Sequence, residues 1–188
     1  MKKHLRLFQV DAFASEVFRG NPAAICPLDE WLPDSLLQAI AEENNLAETA
    51  FFVPAGSAYH LRWFTPRYEV PLCGHATLAA AFVLFTTTDP SPSSLTFTTM
   101  SGELHVLRSG DLLTLDFPAV LPRVCDTPPP SLLGGLGARP AAVLCTEEDP
   151  NYLVVLEREA DVVALRPQLG PWEELHPHGV VVTAPGDQ

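Results

Sequence analysis

Residues Pro71 to Phe85 read PLCGHATLAAAFVLF, and this stretch decides the fold. From Ala76 to Phe85 it holds no charge, no glycine and no proline. Its Ala, Leu and Phe residues suit a helix of roughly three turns. Apolar on every face, such a helix has to be buried on all sides. It is too short to cross a bilayer, which takes about 20 residues. Its entry, Cys73-Gly74-His75, presents free backbone N–H groups at the positive end of the helix dipole, a ready anion site. Taken alone, the plain reading is a core helix started by a tight glycine turn. The neighbouring sequence decides whether that entry also carries chemistry.

The neighbours on both sides are strands. Leu5 to Val10 alternates, and Asp11-Ala12-Phe13 extends it. Arg19-Gly20-Asn21-Pro22 is a turn signal before a short buried strand from Ala23 to Cys26, giving a hairpin-like pair. Asp34 or Ser35 caps an amphipathic surface helix with Leu36, Leu37 and Ile40 inward, ending near Asn44-Asn45. Strands follow in the second half of Leu46–Val53, then at His60–Phe64, with Tyr68-Glu69-Val70 leading into the opening motif. Beyond a surface loop at Asp89–Ser93, the segments Leu95–Met100, Glu103–Arg108 and Leu112–Phe117 form a meander with short turns. A helix that is apolar all round, set among these segments, needs a mostly antiparallel sheet curled around it. The fold class is α/β (α+β), a barrel-like β shell with a helix inside.

Prolines crowd residues 121–130, which read as a connector between a first domain (1–120) and a partial second one (131–188). In the second, Ser131–Leu136 reads as a short helix, though Gly134-Gly135-Leu136-Gly137 follows no clear strand and reads as a loop. Pro140–Cys145 and Tyr152–Glu157 read as strands, Glu159–Leu169 as a helix interrupted by Pro167, and Gly179–Thr183 as a strand. The order strand, strand, helix, strand echoes residues 5–53, which suggests an internal repeat whose second copy stops before its own buried helix.

Composition sets the limits. The 188 residues suffice for one good domain or two small ones, and 47% apolar residues support a packed core. A net charge of −12 argues against nucleic acid and against anionic membrane surfaces, leaving room for a small anion held by one local positive site. No charged segment followed by an apolar run opens the chain, so no signal peptide is read. Cys26, Cys73, Cys125 and Cys145 are far apart and form no CxxC, suggesting neither a zinc site nor a disulfide framework. A cytoplasmic protein with free thiols is the simplest account. His176 and His178 flank Pro177 and read as an exposed loop. There is no GxGxxG or GxxxxGK loop and no HExxH, so no cofactor and no metal are expected.

Glu48 is the anomaly. It lies between a helix end and a hydrophobic strand, with Leu46, Ala47, Ala50 and Phe51 around it. Glu is depleted in strands and costly to bury without a partner. Either it points to solvent at the strand's start or it is held in a cleft. In a cleft, desolvation favours a neutral carboxyl and suits it to proton transfer.

Three motifs in order, DAFASEVFRGNPAAI, NLAETAFF and LRWFTPRYEVPLCGHATLAAAFVLF, resemble the PhzF-like, phenazine biosynthesis-like isomerases through most of residues 5–120. The resemblance implies the fold of the diaminopimelate epimerases: two similar domains, each a curled sheet around a central helix, with the active site between them. It implies that Glu48, in the place of the glutamate of a Ser-Glu-Thr motif, is the general acid/base, Ala47 being a mild departure. Gly74 and His75 match residues of the helix entry that bind substrate, and Cys73 and Asn21 belong to the same motifs. The implied work is a cofactor-free proton shift on a small carboxylate-bearing substrate. The second-domain segment typical of the family, D-P-x-T-G-S, does not occur, so the chain reads as C-terminally truncated.

Two other readings stand beside this one. Cys73 as a thiol base, as in related epimerases and racemases, lacks the Gly-Asn that follows their cysteine and a partner cysteine in such a motif. A non-catalytic remnant that binds small anions or acts through protein contacts is the other. An incomplete domain exposes apolar strand faces and edges, which predicts homodimerisation or poor solubility.

Overall fold

A computed structural model of the chain describes residues 4–16, 18–88, 91–146, 151–175 and 179–186. His176 and His178, and Asp89-Pro90 of the expected surface loop, lie outside the described residues. The chain divides into two compact units, 1–117 and 118–188.

The first unit is one sheet of eight strands: β1 (Phe8–Ala12), β2 (Asn21–Pro27), β3 (Glu48–Ala55), β4 (Ala58–Phe64), β5 (Glu69–Val70), β6 (Ser94–Thr99), β7 (Gly102–Ser109) and β8 (Leu112–Asp116). They run in the order β1-β2-β3-β4-β6-β7-β8, with β5 paired to β4. Most neighbours are antiparallel, but β2–β3 and β4–β6 are parallel. A parallel pair needs a crossover connection, and these two crossovers carry the helices α1 (Asp34–Asn44) and α2 (Gly74–Val83). They lie on opposite faces.

Strand parity separates the two cores. Ala23, Ile25, Ala50, Phe52, Leu61, Trp63, Phe97, Leu104 and Val106 pack with α2. Cys26, Phe51, Val53 and Phe64, the alternate residues, pack with Leu37 and Ala41 of α1. The central strands are therefore buried on both faces. α2 sits in the concave side of a sheet curled around it, the expected architecture.

Three expectations are corrected here. The helix does not end at Phe85 but widens into a π-helical turn, Leu84–Thr88, where the Thr86 and Thr87 hydroxyls donate to the carbonyls of Phe82 and Val83 at 2.7 Å each. Nor is it buried on every side. Phe82 is 49% exposed, because the curled sheet does not close: β1 and β8 are its ends. Between them runs an open apolar groove of about 630 Å³, lined by Val10, Phe13, Leu78, Phe82 and Leu112 among others. Finally, the first strand stops at Ala12, since Phe13 turns to φ +61°, which takes it out of the extended region.

The second unit holds a sheet in the order β12-β11-β10-β9, formed by β9 (Arg123–Val124), β10 (Ala142–Cys145), β11 (Asn151–Val155) and β12 (Gly179–Thr183). The proline-rich stretch 121–130 thus supplies an edge strand as well as a connection. β10–β11 is antiparallel and β11–β12 parallel, with helical segments between them. β1–β2–α1–β3 has the same pairing, so the suspected repeat is present in topology. The region after Arg158 forms α4 (Glu159–Ala164) and α5 (Leu169–Trp172), with Pro167 in the extended link between them. Gly134 and Gly135 are not in a loop but inside α3 (Pro130–Leu136), which Gly137 ends at φ +68°. Gly135 is needed there because a Cβ would collide with the Trp172 indole. That ring also donates from Nε1 to the Leu132 carbonyl at 3.0 Å. Cys125 and Cys145, far apart in sequence, lie on the same face of adjacent strands, since Cys125 is hydrogen-bonded opposite Val143.

Candidate active site

α1 ends at Asn45, which adopts a left-handed φ of +50° and bonds back to Ala41. The Asn44 side chain donates to the Thr49 hydroxyl at 3.1 Å, pinning the two-residue link that follows. β3 then starts at once, with Glu48 paired to Ala23 of β2. Because Ala50 and Phe52 point at α2, alternation puts Glu48 on the same concave face. The carboxylate does not point to open solvent: its side chain is 20% exposed.

It meets the start of α2. Cys73 occupies the N-cap position in an extended conformation, and its side chain forms no capping hydrogen bond. Ser, Thr, Asp or Asn would stabilise a helix start there by about 0.5–2 kcal/mol relative to a non-capping residue. The backbone N–H groups of the first turn thus lack the usual side-chain cap, and that turn contains no acidic residue. Other contacts hold the entry. Thr77 donates its hydroxyl to the Cys73 carbonyl at 2.5 Å, and Ser101 donates to the Pro71 carbonyl at 2.8 Å. Gly74 lets the Phe117 ring lie against the helix, since a Cβ would stand 3.3 Å from Cε2. Sequence reading missed Thr77, although a hydroxyl within an otherwise apolar helix was a signal.

Glu48, Cys73 and His75 come together, each offering one ligand-type atom within 4.8 Å of the others. His75 Nε2 lies 3.4 Å from Glu48 Oε2, and Nδ1 lies 3.4 Å from the Cys73 sulfur. The imidazole is 92% buried in a place where Nε2 makes no well-aligned hydrogen bond despite the nearby carboxylate. The Nε2–Oε2 contact is therefore proximity and not a formed hydrogen bond. Burial pushes the Cys73 thiol up to about 12, helped by the negative Glu48 and opposed by the Ala76 N–H. A raised thiol pKa disfavours the thiolate that a cysteine base needs.

Asn21 is not in this cluster. It opens β2, exposed, two residues before the partner of Glu48 and on the same face. That places it about 7 Å along the strand, at the rim. Among the described residues, no helix is long and apolar enough to cross a membrane.

The family model "Phenazine biosynthesis-like protein" matches residues 10–188. An uncharacterized isomerase of Pseudomonas aeruginosa is 55% identical over 180 residues, 96% of this chain and 68% of that protein. Among solved structures, a phenazine biosynthesis protein of the PhzF family from Enterococcus faecalis superposes with a TM-score of 0.88 at 44% identity, covering 98% of this chain and 70% of the other. A predicted epimerase from P. aeruginosa shares the fold at a TM-score of 0.71 and 23% identity, over 95% and 70%.

Proposed function

The chain belongs to the phenazine biosynthesis-like PhzC-PhzF family, and from that premise we propose that it carries the proton-transfer half of an isomerase site. Its relative from P. aeruginosa is named an isomerase. The substrate class is a small carboxylate-bearing metabolite. Its carboxylate binds the free N–H groups of Gly74 and the next residues at the start of α2, where the dipole favours an anion even in a chain of net charge −12. His75 Nε2, buried without a hydrogen bond, supplies a further donor. Glu48 takes a proton from a substrate carbon and returns it to another, so no redox step is needed. Gly74 gives close access, Cys73 shapes the wall as a neutral thiol, and Asn21 contacts the substrate's outer end.

The observation that carries this reading is the inward carboxylate of Glu48, 3.4 Å from His75 at an uncapped helix start. A proton carrier needs partial desolvation and a partner that does not lock it in one charge state. The raised Cys73 thiol counts against the epimerase-type thiol base. The same reading has the protein working in the cytoplasm with free thiols, with self-association as its protein contact.

A panel of small unsaturated and α-chiral carboxylates, incubated with the protein in D₂O and followed by proton NMR, tests the reading. Glu48-dependent deuterium entry at a carbon position of one of them is the expected result. Equal exchange with Glu48→Gln overturns the assignment of Glu48.

A further inference from the structure

We propose that Glu48, Cys73 and His75 bind one borderline-soft divalent cation of the zinc type, and that its binding blocks the proton transfer. Three residue types that zinc accepts, carboxylate, thiolate and imidazole, stand with their ligand atoms within 4.8 Å. Edges of a tetrahedral zinc site are about 3.3–3.7 Å, from bond lengths of about 2.0–2.3 Å. One edge already has that length, Nε2 to Oε2 at 3.4 Å. A ring ligates through one nitrogen. Here Nε2 is buried, lacks a hydrogen bond and faces the carboxylate. Closing the two edges to the sulfur takes shifts on the order of 1 Å, made by side-chain rotation.

The charges balance. A doubly charged cation meets one carboxylate and one thiolate, so the positive helix end is not asked to tolerate a net charge. The thiol proton leaves to solvent as the sulfur–metal bond forms, the imidazole takes the tautomer with its proton on Nδ1, and no electron is transferred. Three protein ligands leave a fourth position for water or a small anion. Sulfur and nitrogen donors select zinc, cobalt or cadmium over magnesium and calcium. Occupation uses the lone pairs of Glu48 and His75, so the cation acts as a reversible inhibitor and not as a cofactor. Only this blocking clause rests on the isomerase reading.

Cobalt(II) titration of the chain, without substrate, tests the site. The expected result is saturation at one equivalent, with tetrahedral visible bands and a sulfur-to-cobalt charge-transfer band. Zinc displaces the cobalt and magnesium does not. Cys73→Ser should remove the charge-transfer band, whereas the Cys125→Ser/Cys145→Ser double variant keeps it. His75→Asn, a second variant in case Cys73→Ser does not fold, should weaken binding about tenfold or more. No saturation, a band that survives in Cys73→Ser, or a band lost in the double variant overturns the proposal. Turnover unaffected by Glu48→Gln would instead overturn the assignment of Glu48 as proton carrier and leave the cation site standing.

Discussion

Two glutamates in the first unit are almost equally exposed, and they are held in opposite ways. Glu69, 22% exposed, lies on the face of the sheet that carries α1 and holds Arg62 with two hydrogen bonds of 2.7 Å. Those bonds raise the guanidinium pKa further and keep it charged. The same guanidinium lies 5.2 Å from the Trp31 ring centre and 5.1 Å from that of Phe64, and reaches Asp34 at 2.9 Å. Glu48, 20% exposed, lies on the concave face with a neutral thiol and an imidazole it only approaches. One carboxylate is occupied by a side-chain cation through two aligned bonds. The other is held close to polar groups without being locked. Exposure alone therefore does not separate a fixed carboxylate from one left available; the identity and alignment of the partner do.

Substitutions can break or sharpen this contrast. Glu48→Gln should cost the largest factor, about 10²–10⁴ in kcat/KM for any substrate found, with thermal unfolding little changed. A large drop in Tm would mean that Glu48 is structural after all. Phe51 and Phe52 are adjacent, fully buried and on opposite faces. Each change to Ala should cost about 3–5 kcal/mol in denaturant melts. Only Phe52→Ala should also alter activity per folded molecule; equal effects on activity would erase the distinction between the faces. Glu69→Gln should cost about 1–2 kcal/mol, since the bidentate pair is only partly buried, and should leave activity intact. Asp34→Asn, at a residue whose side chain is 76% exposed, should stay within about 0.5 kcal/mol.

Much of this architecture was legible in the sequence. α1 ends at Asn44-Asn45 as expected, but its N-cap position is held by Pro33 and not by Asp34 or Ser35, and Leu36 is exposed; the meander strands lie where their turns place them. The direction of Glu48 was not legible, for a physical reason. β3 is sandwiched between two helices, so ETAFFV is apolar on both faces beyond its first residues and offers no alternation to read. Parity came only from the packing of Ala50 and Phe52 against α2. α3 was obscured by glycine, a poor helix former, which is used there because Trp172 leaves no room for a side chain. The opening between β1 and β8 was hidden as well, because an all-apolar helix looks enclosed whether or not its sheet closes. The nearness of Cys125 to Cys145 depends on strand pairing across 20 residues and has no local signature.

The placement of α2 also dictates an order of events. It lies between strands made before it, β1 to β5, and strands made after it, β6 to β8. During synthesis, the most apolar segment of the first unit emerges when only part of its enclosure exists. Its buried state waits for residues 94–117, and the β4–β6 pair that brings them in is parallel and non-local. Pairings of this kind close slowly and leave apolar surface exposed meanwhile. Nascent chains ending near Thr88 should then be the species that chaperones hold, and release should follow completion of β8.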